Sequence, residues 1–134
     1  LFLRVQTHSS QEIVNITNLV LDAFASMHLS RDKGFVVLYN PHTTSALLIN
    51  EGSDSSVAQD ILTFLNKNIP LHDNYAHDSV DNNAHAHIKS SLFPSHLMIP
   101  FSKGSLLLGV WQGVFLLEFD GPRTRKIYMD VLYS

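Results

Sequence analysis

Between His96 and Leu132 the chain alternates short apolar runs with two-residue turn signals, and this rhythm restricts it to folds built on antiparallel strands. The runs are His96 to Phe101, Ser105 to Val110, Val114 to Asp120 and Thr124 to Leu132, separated at Lys103-Gly104, Gln112-Gly113 and Gly121-Pro122. A parallel neighbour needs a crossover of a dozen or more residues, so connections this short predict antiparallel hairpins.

The first two-thirds of the chain supplies helices to cover such a sheet. Phe2 to His8 alternates in the manner of a half-buried strand. Ser9 and Glu12 have capping-box spacing, and Ile13, Ile16, Val20, Phe24 and Met27 recur every three or four residues, which predicts a helix to about His28. Gly34 opens a continuous apolar run, Phe35 to Tyr39, expected to be a central strand buried on both sides. After Asn40-Pro41, Thr43 to Asn50 resumes as an extended segment. A turn at Glu51 to Asp54 leads into a second helix through Val57, Ile61, Leu62 and Leu65, ended by Pro70. Residues 71 to 83 are polar and without periodicity, a long loop of the kind that usually carries function. A short helix from Ala84 to Leu92 stops at Pro94. The expected fold is one α/β domain over residues 1–134, an α+β sandwich in which a mainly antiparallel sheet packs with two longer helices and one short one.

Composition narrows the partners. The 134 residues carry a formal charge of -3, so the clustered Lys and Arg that neutralise phosphates are missing and nucleic acid is not expected. With no cysteine, thiolate nucleophiles, disulfides and cysteine-type zinc sites are excluded, and a cytoplasmic protein is expected. No apolar run approaches the ~20 residues of a membrane helix, so no membrane partner is expected.

Histidine is the unusual residue: there are eight, six of them between His42 and His96. His42, His77 and His87 stand on three separate predicted segments. Three neutral imidazoles brought together leave a fourth zinc position open for water or substrate. Spacing does not oblige them to meet, and on spacing alone solvated loop or capping histidines are the default reading. His85, two residues before His87, points about 200° away on a helix, and His72 is a weaker candidate.

A second constellation suits an anion. Lys89 and Arg123, joined by Arg125, Ser90, Ser91, Thr43 and Thr44, offer guanidinium and hydroxyl groups to a phosphate, although the basic residues also read as the solvated side of a strand. Glu51 and Glu118 are flanked by apolar or small residues, a setting that can raise a carboxyl pKa for acid–base work or let it orient a metal-bound histidine. Glu118 lies on an inward strand position and needs a partner, with Arg123 or His42 as candidates. Trp111 sits between Gly109 and Gly113, where it and Gln112 can line a pocket, with core packing of Trp111 the default.

Four blocks carry a likeness in order along the chain. They are His42-Thr43-Thr44-Ser45-Ala46-Leu47-Leu48-Ile49-Asn50-Glu51, Tyr75-Ala76-His77, His87-Ile88-Lys89-Ser90-Ser91-Leu92, and Leu108-Gly109-Val110-Trp111-Gln112-Gly113 continuing through Glu118-Phe119-Asp120-Gly121-Pro122-Arg123. Together they resemble the YjbQ family over nearly the whole chain. The resemblance implies an α/β subunit that assembles as a homotrimer, with metal or anion sites close to the subunit boundaries. It favours His42, His77 and His87 as ligands of a divalent metal, zinc before magnesium because imidazoles suit a transition ion. The label often attached to the family, secondary thiamine-phosphate synthase, implies a transferase joining a pyrimidine diphosphate to a thiazole phosphate.

The expected function is therefore a metal-dependent enzyme acting on a small phosphorylated metabolite. Lys89 and Arg123 would bind phosphate, and Glu51 or Glu118 would move a proton or orient a ligand. A metal-dependent hydrolase of a phosphoester or amide is the second expectation, and a non-catalytic metal- or ligand-binding trimer the third.

Overall fold

The computed structural model describes residues 1–134. In chain order the elements are β1 (Phe2–Gln6), β2 (Glu12–Asn15), α1 (Thr17–Ala25), β3 (Lys33–Tyr39), β4 (Ser45–Glu51), α2 (Ser55–Asn68), a 3-10 turn (Ala76–Ser79), α3 (Ala84–Ser91), β5 (His96–Ser102), β6 (Ser105–Leu106), β7 (Gln112–Glu118) and β8 (Thr124–Tyr133). The strands form two antiparallel sheets, ordered β1-β8-β3-β5-β6 and β2-β7-β4.

Alternation decides the layering. Leu3, Val5, Val36, Leu38, Leu97, Ile99, Phe101, Ile127 and Met129 leave the inner face of the larger sheet to meet Leu47, Val114 and Leu116 of the smaller one, with Ile16, Val20 and Phe24 closing the side. On the other face of the smaller sheet, Ala46 and Leu117 pack with Leu65 of α2, Ala86 of α3 and Phe119. The small sheet is thus the middle of three layers, and β7 is buried along nearly its whole length.

Several expectations are corrected. The helix predicted from Ser9 is a strand followed by a shorter helix: Ile13 and Val14 pair with Leu117 and Leu116 of β7, and α1 begins only at Thr17. Glu12 caps no helix, although its Oε1 accepts the His8 N–H at 2.5 Å. β3 is half-buried, with Phe35 and Tyr39 on an open face; the strand covered on both sides is β7. The run from Ser105 to Val110 pairs only over Ser105–Leu106.

One predicted hairpin is present: Ser102 pairs with Ser105 around Lys103 and Gly104, whose φ values of 53° and 76° are those of a primed two-residue turn. The Gly121-Pro122 connection instead carries the chain from the small sheet to the large one, so β7 and β8 are neighbours in sequence but not in a ladder. No helix is long and apolar enough to cross a membrane.

Candidate functional site

The polar loop after α2 is organised around α3. Tyr75 donates its hydroxyl to the Pro70 carbonyl at 2.8 Å, and Asp78 Oδ1 accepts the Ala84 N–H at 3.0 Å, capping the helix. The 3-10 turn is thereby held against the first turn of α3, and the His77 and His87 rings meet edge to face with centroids 4.9 Å apart. They line an open cavity of about 390 Å³ with Tyr75, Ala76, Ala84 and Ile88. Asp81 Oδ2 lies 3.8 Å from His77 Nε2.

His42 does not join them, and no group of three or more His, Asp or Glu side chains that could hold a metal ion forms within the chain. Its ring lies where β3 has turned away at Asn40-Pro41, and Nε2 accepts the Lys126 N–H at 3.0 Å in place of a strand partner. A neutral imidazole has one acceptor nitrogen, so His42 has no lone pair for a metal while that bond is made. Burial first, then the nearby Arg125 guanidinium, hold its pKa below the usual histidine value.

The other predicted site residues scatter. Glu118 is fully buried, and its partner is neither Arg123 nor His42: Arg125 Nε reaches Glu118 Oε2 at 2.7 Å while Thr7 Oγ1 donates to Oε1 at 3.2 Å. Arg125 also donates to Thr44 Oγ1 at 2.9 Å, so Thr44 is occupied. With both oxygens engaged away from solvent, Glu118 is built to hold two sheets together. Glu51 Oε2 accepts the Ser53 and Asp54 N–H groups at 2.6 and 3.2 Å, ordering the turn into α2.

Lys89 presents nothing to solvent. Its Nζ contacts Gln11 Oε1, Asn66 Oδ1 and His85 Nδ1 at 2.9, 2.7 and 2.9 Å, and burial lowers its pKa to about 8. It is therefore not a phosphate ligand in this conformation. Ser90 and Ser91 lie at the C-terminal end of α3, where the helix presents carbonyls and not anion-binding N–H groups; Ser91 Oγ donates to the Ile88 carbonyl at 2.6 Å. Arg123 is exposed and pairs with Asp120 at 3.1 Å, Thr43 is exposed, and Gln112 accepts the Gly109 N–H at 2.8 Å. Trp111 is not core but 65% exposed, beside Val110 at 85%.

The structure adds residues to which no role in the pocket was given. Tyr75 and Ile88 wall the histidine pocket; Tyr75 stood in a block singled out for its histidine alone. Arg125 shares its parity on β8 with Ile127 and Met129, the signal that it points inward toward Glu118.

Comparison with known proteins places these features in a family. The model of the family described as UPF0047 protein YjbQ-like matches residues 2–134. A UPF0047 protein of Archaeoglobus fulgidus is 43% identical over 130 residues, covering 97% of this chain and 98% of the relative. UPF0047 protein YugU of Bacillus subtilis is 35% identical over 131 residues, covering 97% and 96%. Among solved structures, an uncharacterized conserved YjbQ/UPF0047-family protein of Clostridium acetobutylicum superposes with a TM-score of 0.91 at 39% identity, over 98% of this chain and 99% of that one. A YbjQ-like protein of unknown function from Sulfolobus solfataricus gives a TM-score of 0.91 at 30% identity, covering 99% and 95%.

Proposed function

Starting from the chain's membership of the YjbQ-like UPF0047 family, we propose that it is a metal-dependent enzyme acting on a small phosphorylated metabolite, working as a homotrimer. The observation that carries this reading is the contact of His77 and His87, rings 4.9 Å apart from two different elements, in the lining of an open cavity. Two imidazoles suit zinc or another transition ion better than magnesium, which prefers oxygen. When bound, such an ion supplies Lewis acidity to a phosphoryl oxygen. His77 and His87 would hold it, and Asp81 beside His77 would orient that ring. Tyr75 and Ile88 form the walls that take the apolar part of the substrate. Thiamine-phosphate synthesis is the reaction the family likeness suggests.

Self-association is supported by the open face of the larger sheet. Phe2 lies opposite Tyr128, and Tyr128 opposite Tyr39, so three half-exposed aromatic residues form one row across β1, β8 and β3. An apolar face of this kind marks an interaction surface.

A hydrolase reading is favoured by one point: a site with only two protein ligands from one chain leaves room for water as well as substrate. Metal analysis with kinetics tests both. Wild-type protein is expected to retain zinc and to turn over a phosphorylated substrate, with an acceptor for transfer and without one for hydrolysis. His87→Ala should lose the ion and the turnover together. Full activity in that variant, or bound zinc with no turnover across a broad panel, would leave the enzymatic reading without support.

A further inference from the structure

Helix α3 carries two histidines with different surroundings. His87 lines the open pocket, while His85 is turned inward at 8% exposure. One turn after His85, the wholly buried Lys89 directs its Nζ at three acceptors from three segments: Gln11 Oε1 before β2, Asn66 Oδ1 on α2 and His85 Nδ1 on its own helix. An ammonium group has three hydrogens and no lone pair. Three acceptors at 2.7 to 2.9 Å complete its hydrogen bonding, and Nδ1 of His85 must then be the bare nitrogen of the ring. A neutral imidazole carries a single hydrogen, which is left to Nε2. That nitrogen makes no hydrogen bond within the chain, nor is it among the sealed-off polar atoms, so it meets solvent. Burial first, then the charge of Lys89, hold the pKa of the ring below the usual histidine value against the opposing charges of Asp120 and Asp78.

We propose that Lys89 locks His85 as the Nε2–H tautomer, which makes His85 a free hydrogen-bond donor and excludes it from metal coordination. A metal needs a ring lone pair. The one on Nδ1 faces a cation at 2.9 Å, and the one on Nε2 appears only if the hydrogen moves to Nδ1, against the ammonium. Two histidines two residues apart on one helix therefore have opposite roles, His87 open to an ion and His85 closed to it. The exclusion deepens the metal reading above and rests on it; the tautomer does not.

The tautomer is measured by long-range proton–nitrogen spectra of uniformly labelled, chelator-treated protein at pH 7. His85 Nδ1 is expected at the chemical shift of a bare nitrogen and Nε2 at that of a protonated one; the reverse pattern would overturn the proposal. The wild-type spectrum decides this even if Lys89→Met fails to fold, and if that variant folds, His85 should become a mixture of tautomers. Zinc alone is then titrated. Signals of His77 and His87 are expected to move while His85 keeps its pattern, and His85→Gln should bind zinc with unchanged stoichiometry. A metal-bound shift at His85, or loss of zinc in His85→Gln, sinks the exclusion. If zinc moves no histidine at all, the metal reading of the pocket fails while the tautomer result stands.

Discussion

Arg125 and Glu118 form an ion pair across two sheets, Nε to Oε2 at 2.7 Å, with side chains only 2% and 0% exposed. Glu118 closes β7 in the middle layer and Arg125 lies on β8 in the outer sheet, so the pair holds the layers where the chain crosses between them. Two charges leave water at considerable cost, and only mutual attraction, with the hydrogen bond Thr7 donates to Glu118 and the one Thr44 accepts from Arg125, offsets it. Arg125→Met, which strands the carboxylate, should lower unfolding free energy by about 3–5 kcal/mol. The double variant Arg125→Met/Glu118→Leu should recover most of that loss. Urea titrations of the two compare directly, and a single variant as stable as wild type would show that the pair is not the clamp.

Lys89 gives stability a pH dependence on the alkaline side. Burial lowers its pKa from 10.5 to about 8 in the folded protein. Between those values the unfolded chain holds a proton that the folded one has released. Stability attributable to Lys89 therefore rises with pH from about 8 toward 10.5 and is lost again as pH falls through 8. Denaturation of chelator-treated protein at several pH values should show this rise, and Lys89→Met should flatten it. An identical slope in the variant would place the titration elsewhere.

Gly52 and Gly113 touch backbone to backbone where β4 ends beside β7. A Cβ built on Gly113 would lie 2.9 Å from Gly52 Cα and 3.1 Å from Thr17 Oγ1, with no flexible side-chain end able to yield to the backbone contact. Gly113→Ala should cost about 1–3 kcal/mol through overpacking, whereas Gly104→Ala, with open space around its Cβ, should show only the strain of its positive φ. Thermal melts of the two separate steric overlap from backbone strain.

The sheet-rich architecture was legible because alternation is a local signal: Leu3, Val5, Ile127 and Met129 face inward as their spacing implies. Ile13 and Ile16 show the limit, since three-residue spacing fits a helix face as well as a strand running into a helix, and only pairing with β7 decides between them. β3 and β7 look alike as apolar runs, yet layering exposes one face of β3 and covers both of β7. In the site, the polar loop marked His77, but the acceptors that bury Lys89 come from Gln11 and Asn66, 78 and 23 residues away. No pattern around Lys89 distinguishes that cage from a phosphate-binding lysine. His42 stands apart from the His77–His87 pair for the same kind of reason: its nitrogen completes a ladder that exists only after β8 has paired.

The open sheet face and the loop bearing Trp111 predict how assembly is detected. Tyr39 stands 48% exposed in the aromatic row, and Met98, 51% exposed, shares that face. Sedimentation should give three times the 15.0 kDa chain mass. Tyr39→Lys should shift the particle toward the monomer with its circular dichroism unchanged, because the ammonium would be desolvated in a covered face but not in an open one. Trp111 is the sole tryptophan and is 65% exposed in the single chain. Its emission therefore reports whether its loop shares the interface: an emission shift and loss of acrylamide protection on going from wild type to Tyr39→Lys would put it there, whereas equal quenching would confine the contact to the sheet. A wild-type protein that stays monomeric at high concentration would leave the aromatic row without its proposed occupant.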